Sequence, residues 1–255
     1  MVTDGRALPS EQQIGEIANK LDGRHPQDVL RWGLEQFGSR LAICTSFQAD
    51  GMAILDMASR IDPSVRVFTI DTGRLHPETY ELMDRVRDRY GVELEVYYPD
   101  AAELETFVRK DGVNAFYRSI TLRLNCCDIR KVNPLQKVLD NLDAWVTGVR
   151  RDQSSTRATV RAIEVDHDHG GLIKLNPLAG WTDADVWEYI RAHDVPYSAL
   201  YDHGYTSIGC APCTRPTAPG EDPRAGRWWW EVDAPKECGI HLRFDGVQPV
   251  LQQAT

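Results

Sequence analysis

The chain has 255 residues, of which 42% are hydrophobic and 26% charged; that is enough to bury a core without covalent staples and excludes a disordered chain. Its 29 basic and 38 acidic side chains leave a net charge of −9, which argues against general binding to nucleic acid or anionic membranes. No stretch approaches the roughly eighteen apolar residues of a membrane span.

Residues 1–24 carry Asp4, Glu11 and Glu16 and no apolar run, so they do not read as a secretory signal and the expected compartment is the cytoplasm. Ile14, Ile17, Ala18 and Leu21 repeat at helical spacing and predict an amphipathic first helix. Pro26 suits the first position of a second helix that runs to about Gly38. Leu41 to Thr45 is a short apolar run, a buried strand; it leads through Ser46-Phe-Gln-Ala-Asp-Gly51 into a helix over Met52 to Met57. Val65 to Ile70 is the next strand, followed by Asp71-Thr-Gly-Arg-Leu75 and a helix that begins at Pro77. Val92 to Tyr98 predicts a third strand, Ala101 to Lys110 a helix, and Ala144 to Gly148 a fourth strand. A last helix starts at Thr182, with Asp185 completing a capping box. From Asp194 onward periodicity is lost and Gly, Pro and Trp accumulate, which reads as a long loop region.

Strands that alternate with helices specify an α/β fold with a mostly parallel sheet flanked by helices. No internal repeat or linker is visible, so residues 1–230 are read as one domain and 231–255 as a C-terminal tail. The loops Ser46 to Gly51, Asp71 to Arg74 and Gly148 to Ser155 follow strand ends, where open α/β sheets bind ligands and helix N-termini offer N–H groups to anions.

In a reducing compartment, six clustered cysteines read as metal ligands or catalytic thiols rather than a disulfide framework. Cys44 lies in the first strand and is read as a small core residue. Cys210-Ala-Pro-Cys213 suits zinc, an iron–sulfur cluster or a redox dithiol. Cys126 and Cys127 are adjacent, an arrangement that zinc sites seldom use. Together the two pairs supply enough thiolates for a [4Fe–4S] cluster, with zinc and unliganded core cysteines as the alternatives. Cys238 has no partner left; flanked by Gly239 and followed by His241, it is a candidate nucleophile, the alternative being an incidental surface thiol. Between Arg123 and Arg161 the chain carries a net +4, and Arg224 and Arg227 precede Trp228-Trp-Trp230. Arginine forks suit phosphate and sulfate, so an anion pocket is the favoured reading over a solvated face.

Cys126-Cys127-Asp-Ile-Arg-Lys131, Gly209-Cys-Ala-Pro-Cys213-Thr-Arg-Pro216, Arg224-Ala-Gly-Arg-Trp-Trp-Trp-Glu231 and Glu237-Cys-Gly-Ile-His-Leu242, with Asp71-Thr-Gly-Arg-Leu75 and Thr147-Gly-Val-Arg-Arg-Asp-Gln-Ser154, carry a resemblance over roughly residues 40 to 245. The chain resembles the assimilatory sulfonucleotide reductases, specifically the bacterial iron–sulfur adenosine 5′-phosphosulfate (APS) reductases. The resemblance implies an adenine-nucleotide alpha-hydrolase, or ATP-pyrophosphatase-like, fold with a C-terminal catalytic tail. The segment Thr45 to Gly51 then occupies the phosphate-loop position, without the Ser-Gly-Gly-x-Asp-Ser form of relatives that cleave ATP. Relatives commonly carry two successive acids after Ala49; here Asp50 is followed by Gly51.

The resemblance implies one [4Fe–4S] cluster per subunit on Cys126, Cys127, Cys210 and Cys213, with Cys238 as nucleophile. Cys238 would attack the sulfur of APS, AMP would leave, and thioredoxin or a similar dithiol would release sulfite from the S-sulfocysteine. Lys131, Arg224 and Arg227 are the main candidates for the phosphosulfate. Ser46, Asp71, Thr72, Gly73 and Gly148 are candidates for ribose and phosphate, and Arg157 and His241 for further phosphosulfate contacts. The Trp228 to Trp230 run is read as packing. The cluster is expected to act through structure and electrostatics on Lys131 and the sulfate pocket, not by electron transfer. No nucleic-acid or membrane partner is expected, and a homo-oligomer is left open. The alternatives are a reductase for 3′-phospho-APS (PAPS), an iron–sulfur tRNA-thiolating enzyme, which needs the missing ATP loop, and a zinc-stabilised binding module.

Overall fold

A computed structural model describes residues 8–231 and residue 240. Cys238, His241 and most of the expected tail lie outside the described residues.

Helix α1 (Glu11–Leu21) opens with a capping box between Ser10 and Gln13, and α2 (Pro26–Phe37) starts on its proline. Strand β1 (Leu41–Cys44), helix α3 (Ala49–Ile61), strand β2 (Arg66–Ile70), helix α4 (Pro77–Tyr90), strand β3 (Leu94–Tyr97) and helix α5 (Ala101–Asp111) follow in strict alternation. Helix α6 (Ile120–Cys127) passes through a π turn at Asp128–Val132 into α7 (Asn133–Leu139). Strands β4 (Ala144–Val146), β5 (Ile163–Asp166) and β6 (Leu172–Leu175) come next, and α8 (Asp183–Ala192) carries the expected Thr182–Asp185 capping box.

The six strands form one sheet in the order β3-β2-β1-β4-β6-β5. β1 pairs in parallel with β2 and β4, and β4 with β6, while β5 runs antiparallel to β6. The mostly parallel sheet matches the sequence reading, and the β5–β6 hairpin is the addition. Its strands carry Glu164, Asp166 and Lys174, which interrupt the apolar run that marked β1 and β4 in the sequence. The local clue is Gly170 and Gly171, both at positive φ between the strands. The chain order reverses across β1 and β4, which marks the switch point of the sheet.

The chain divides into two compact units. The first comprises residues up to 69, 77–95 and 139–199; the second comprises 70–76, 96–138 and the residues from 200 onward. In the first, β1 is buried at Leu41, Ala42 and Ile43, and α3 is buried nearly all round from Met52 to Ala58. An apolar helix of this kind belongs beneath a sheet rather than at the surface, and each fully buried Leu or Ile contributes about 1.5–3 kcal/mol. In the second, Phe107, Ala115, Phe116 and Trp228 form an apolar core with Cys126, Cys127, Cys210 and Cys213.

Candidate functional site

Cys126 and Cys127 end α6, whose first turn is capped by Ser119 accepting from Leu122 N at 3.2 Å. The π turn that follows immediately widens the backbone at Asp128–Val132, a device helices often use at functional sites. The second cysteine pair sits on a single 3₁₀ turn, Ala211–Cys213. That turn is held by its own backbone and by its neighbours: Cys213 N donates to Cys210 O at 2.9 Å, Ala211 N to Arg74 O at 2.8 Å, and Trp228 N to Cys213 O at 3.1 Å. Tyr117 Oη donates to Pro212 O at 2.7 Å. Segments more than eighty residues apart in sequence thus present buried thiols together.

All four cysteines line one pocket, together with Phe116, Arg74, Arg123, Arg130 and Lys131. Burial pushes the Cys126 thiol up, against the pull of Arg130. Burial and neighbouring Cys210 push Cys213 up to about 12, against Lys131 and Arg227. Thr72 Oγ1 lies 3.3 Å from Cys210 Sγ. Arg130 donates from Nη1 to the Thr72 carbonyl at 2.5 Å, while its buried Nε has no hydrogen-bond partner. Arg74 spends its guanidinium on Asn114 Oδ1 (3.0 Å) and Val113 O (2.8 Å).

Among the described residues no group of three or more His, Cys, Asp and Glu side chains is arranged for one metal ion. Four thiols around one pocket, with Arg74, Arg130 and Lys131 beside them and the Arg130 Nε–H without a partner, nevertheless fit the donor set of a polynuclear anionic cluster.

The Asp71–Gly73 turn belongs to the same unit. Asp71 Oδ1 accepts from Gly73 N at 2.7 Å, and Gly73 takes a φ of +69°, a conformation that favours glycine. Thr72 Oγ1 also accepts from Arg74 N at 3.2 Å. The structure therefore ties this turn to both cysteine segments through Thr72, Arg130 and Arg74. Arg227 is buried, donates to Ser207 Oγ at 3.2 Å and stacks 4.8 Å from the Trp228 ring centroid. Arg224 is half-buried, its backbone N–H donating to Asp222 Oδ1 at 2.7 Å.

In the first unit, Ser46 is exposed just past β1, its Oγ accepting from Gln48 Nε2 at 3.0 Å. Phe47 is held at a φ of +57°, a strained conformation for a bulky residue. Helix α3 then begins at Ala49, with Gln48 in extended backbone before it. A Cβ on Gly51 would lie 2.5 Å from Thr45 Oγ1, and one on Gly148 would lie 2.9 Å from Asp50 Cβ. The missing second acid therefore reflects close packing here: Gly51 lets α3 seat against Thr45, and Gly148 lets the loop after β4 seat against α3.

That loop is locked by a charge network. Arg150 is buried and reaches Asp50 Oδ1 at 2.5 Å, Asp183 Oδ1 at 3.2 Å and Asp152 Oδ2 at 3.5 Å. Burial raises the Asp50 carboxyl above its ordinary value, offset by Arg150. Gln153 donates to Asp50 Oδ2 (3.3 Å) and Gly148 O (3.1 Å) and accepts from buried Arg157 Nη1. The basic stretch read from sequence as an anion pocket is thus divided. Arg123, Arg130 and Lys131 line the cysteine pocket. Arg151 instead pairs with Asp22 at 2.6 Å, and Arg161 reaches Asn19 Oδ1 at 2.5 Å. Cys44 closes β1 half-buried, and desolvation pushes its thiol up to about 12. Trp228 and Trp230 pack as read from sequence, whereas Trp229 is exposed.

The phosphoadenosine phosphosulfate reductase domain model matches residues 40–216. The chain belongs to that family. A sulfonucleotide reductase of this kind has many relatives, among them the adenosine 5′-phosphosulfate reductase of Burkholderia cepacia, 48% identical over 82% of this chain and 84% of that protein. The corresponding protein of Pseudomonas aeruginosa is 45% identical over 88% of this chain and 85% of its own length. Among solved structures, the phosphoadenylyl-sulfate (PAPS) reductase of Candida auris superposes with a TM-score of 0.71 at 34% identity, over 83% of this sulfonucleotide reductase and all of that chain. The fold is of the adenine-nucleotide alpha-hydrolase type, with relatives of the APS reductase kind.

Asp50, Arg74, Arg123, Arg130, Arg150, Gln153 and Glu231 complete the two sites and were not singled out as site residues from sequence. Arg74, Arg130, Arg150, Gln153 and Glu231 stand inside the motifs quoted from sequence, but only packing reveals their partners.

Proposed function

We propose that this oxidoreductase reduces adenosine 5′-phosphosulfate to sulfite and AMP, through an S-sulfocysteine at Cys238, with thioredoxin or a similar dithiol as reductant. The reading is supported most by one observation: four cysteines from two remote segments line a cationic pocket tied to the Asp71–Gly73 turn. The relatives that are 45–48% identical are named for APS, which favours APS over PAPS as substrate.

Cys238 thiolate attacks the sulfate sulfur, the bond from that sulfur to the bridging oxygen breaks, and AMP leaves with the electron pair. Lys131, Arg224 and Arg227 are assigned to the phosphosulfate, where fixed positive charge stabilises the charge that moves onto AMP. Arg157 and His241 are further phosphosulfate contacts. Ser46, the Asp71–Gly73 turn and Gly148 are assigned to ribose and phosphate. A dithiol then attacks Cys238 Sγ, sulfite leaves with the pair of the broken S–S bond, and the second thiol closes a disulfide while Cys238 is restored. The dithiol loses the two electrons that sulfur gains.

Cys126, Cys127, Cys210 and Cys213 are the residues that would hold a [4Fe–4S] cluster, which when bound supplies structural cohesion and a local field rather than electrons. This thiol chemistry fits the reducing cytoplasm.

Incubating the protein with APS and no reductant should add about 80 Da at Cys238, the SO3 group of the covalent step. Thioredoxin should remove it, and Cys238→Ser should prevent it; an adduct in that variant would remove Cys238 from the role. Iron and acid-labile sulfide analysis tests the cluster, zinc being the outcome that overturns it. Comparing kcat/KM for APS and PAPS tests the choice of nucleotide.

A further inference from the structure

Arg123 and Glu231 form a buried ion pair, their side chains only 2% and 3% exposed. The contact is a two-pronged fork, Nε to Oε1 at 3.0 Å and Nη2 to Oε2 at 2.8 Å, the most direction-specific geometry available to arginine and carboxylate. Arg123 stands three residues before Cys126 on α6 and lines the cysteine pocket. Its guanidinium also lies 4.6 Å from the Trp228 ring centroid. Trp228 is held at a φ of +41°, unusual for so bulky a residue. It donates its N–H to Cys213 O at 3.1 Å and accepts at its carbonyl from Glu231 N at 2.9 Å. The Trp228–Glu231 segment is therefore fastened to both cysteine segments, to one through Arg123 and to the other through Cys213.

A buried ion pair seldom stabilises a fold more than apolar residues of the same volume would; its attested use is to enforce one arrangement. Glu231 stands seven residues before Cys238, and seven residues span at most about 25 Å. A thiol tethered that closely to a fixed point has a far higher effective concentration at the sulfate than one on a loose chain end.

Resting on the reading of Cys238 as nucleophile, we propose that Arg123 and Glu231 are positioning residues that fix the departure point of the Cys238 segment on the cysteine pocket. The pair is not in the reaction. It sets how often the thiol meets the sulfur, and it links the assembly of the pocket to delivery of the nucleophile.

The test uses the metal-loaded full chain, APS and no reductant, with adduct formation followed by rapid quench and intact mass. Glu231→Gln breaks the fork. The double variant Arg123→Met/Glu231→Leu removes both charges, leaves neither orphaned, and so separates positioning from folding. In both variants adduct formation at saturating APS should fall about 10-fold or more, as for a lost orientation effect. AMP affinity, visible absorbance per chain and the alkylation rate of Cys238 by iodoacetamide without nucleotide should be unchanged. Wild-type adduct rates in the double variant would overturn the proposal. So would a loss of absorbance in parallel with rate, since the pair would then serve the pocket alone. Failure of the underlying reading shows separately, as a wild-type chain that acquires no adduct at Cys238.

Discussion

Two groups of arginines do opposite work in this molecule. In the first unit, Arg150 is surrounded by carboxylates, with Asp50, Asp152 and Asp183 all within 3.5 Å. In the second, Arg74 and Arg130 have no carboxylate partner among the described residues and spend their hydrogen bonds on carbonyls, Asn114 and a thiol. A guanidinium neutralised by carboxylates has little field left for a ligand and serves to hold a loop. One held by neutral acceptors keeps its charge for whatever enters the pocket. The difference identifies which part of the basic sequence is scaffold and which part is poised for an anion.

The comparison breaks most readily at the thiols. Cys213→Ser should abolish the proposed cluster and lower turnover by more than about 100-fold, since loss of a ligand exceeds the usual effect of an outer-shell change; iron content, visible absorbance and kcat check it. A variant that keeps both metal and activity would place the cysteines in ordinary packing. Arg150→Met should act on stability instead. It leaves the Asp50 carboxylate without its cation, with Gln153 still donating to it, and should cost about 3 kcal/mol in urea unfolding, with metal content per folded chain unchanged. If Arg150→Met also emptied the metal site, the division of labour between the two clusters would fail.

The smallest expected effect sharpens the contrast at a third buried group. Asp166 Oδ2 accepts from Trp145 Nε1 at 3.0 Å, with His169 Nδ1 at 2.9 Å and Lys174 Nζ at 3.7 Å. Burial pushes its carboxyl up, but the His169 hydrogen bond and Lys174 outweigh burial and hold it below its ordinary value. A carboxyl depressed in the folded state adds stability above its unfolded pKa of about 4, and that stability disappears as the pH falls below it. Asp166→Asn should therefore lose on the order of 1 kcal/mol at neutral pH, and the gap to wild type should close below about pH 4. Urea titrations at a series of pH values measure this, and a gap independent of pH would show that the charge contributes nothing.

Much of the fold was legible because its determinants are local. Pro26 and Pro77 start helices, Thr182 caps one, and the apolar run Leu41 to Cys44 cannot face water. The β5–β6 hairpin was not legible, because Glu164, Asp166 and Lys174 break up its apolar residues. At the site, the cysteine spacing and the motifs around Asp71 and Thr147 were visible as residue types. The roles of Asp50 and Glu231 were not, since nothing near either in sequence names a partner 100 or 108 residues away.

The alternating α/β order, the excess of acid, the paired thiols and the family to which the chain belongs are all readable along the chain. Those features depend on residue type and short spacing, which capping, turn chemistry and hydrophobic periodicity read over a few residues. Only the tertiary structure decided that Cys126 and Cys127 share a pocket with Cys210 and Cys213, and that Thr72 and Arg130 connect that pocket to the Asp71 turn. It also decided that Arg150 is spent on carboxylates while Arg130 is not. Those outcomes depend on which buried charges and thiols meet once apolar faces have packed, and electrostatic interaction in a low-dielectric interior is set by distance in space rather than along the chain.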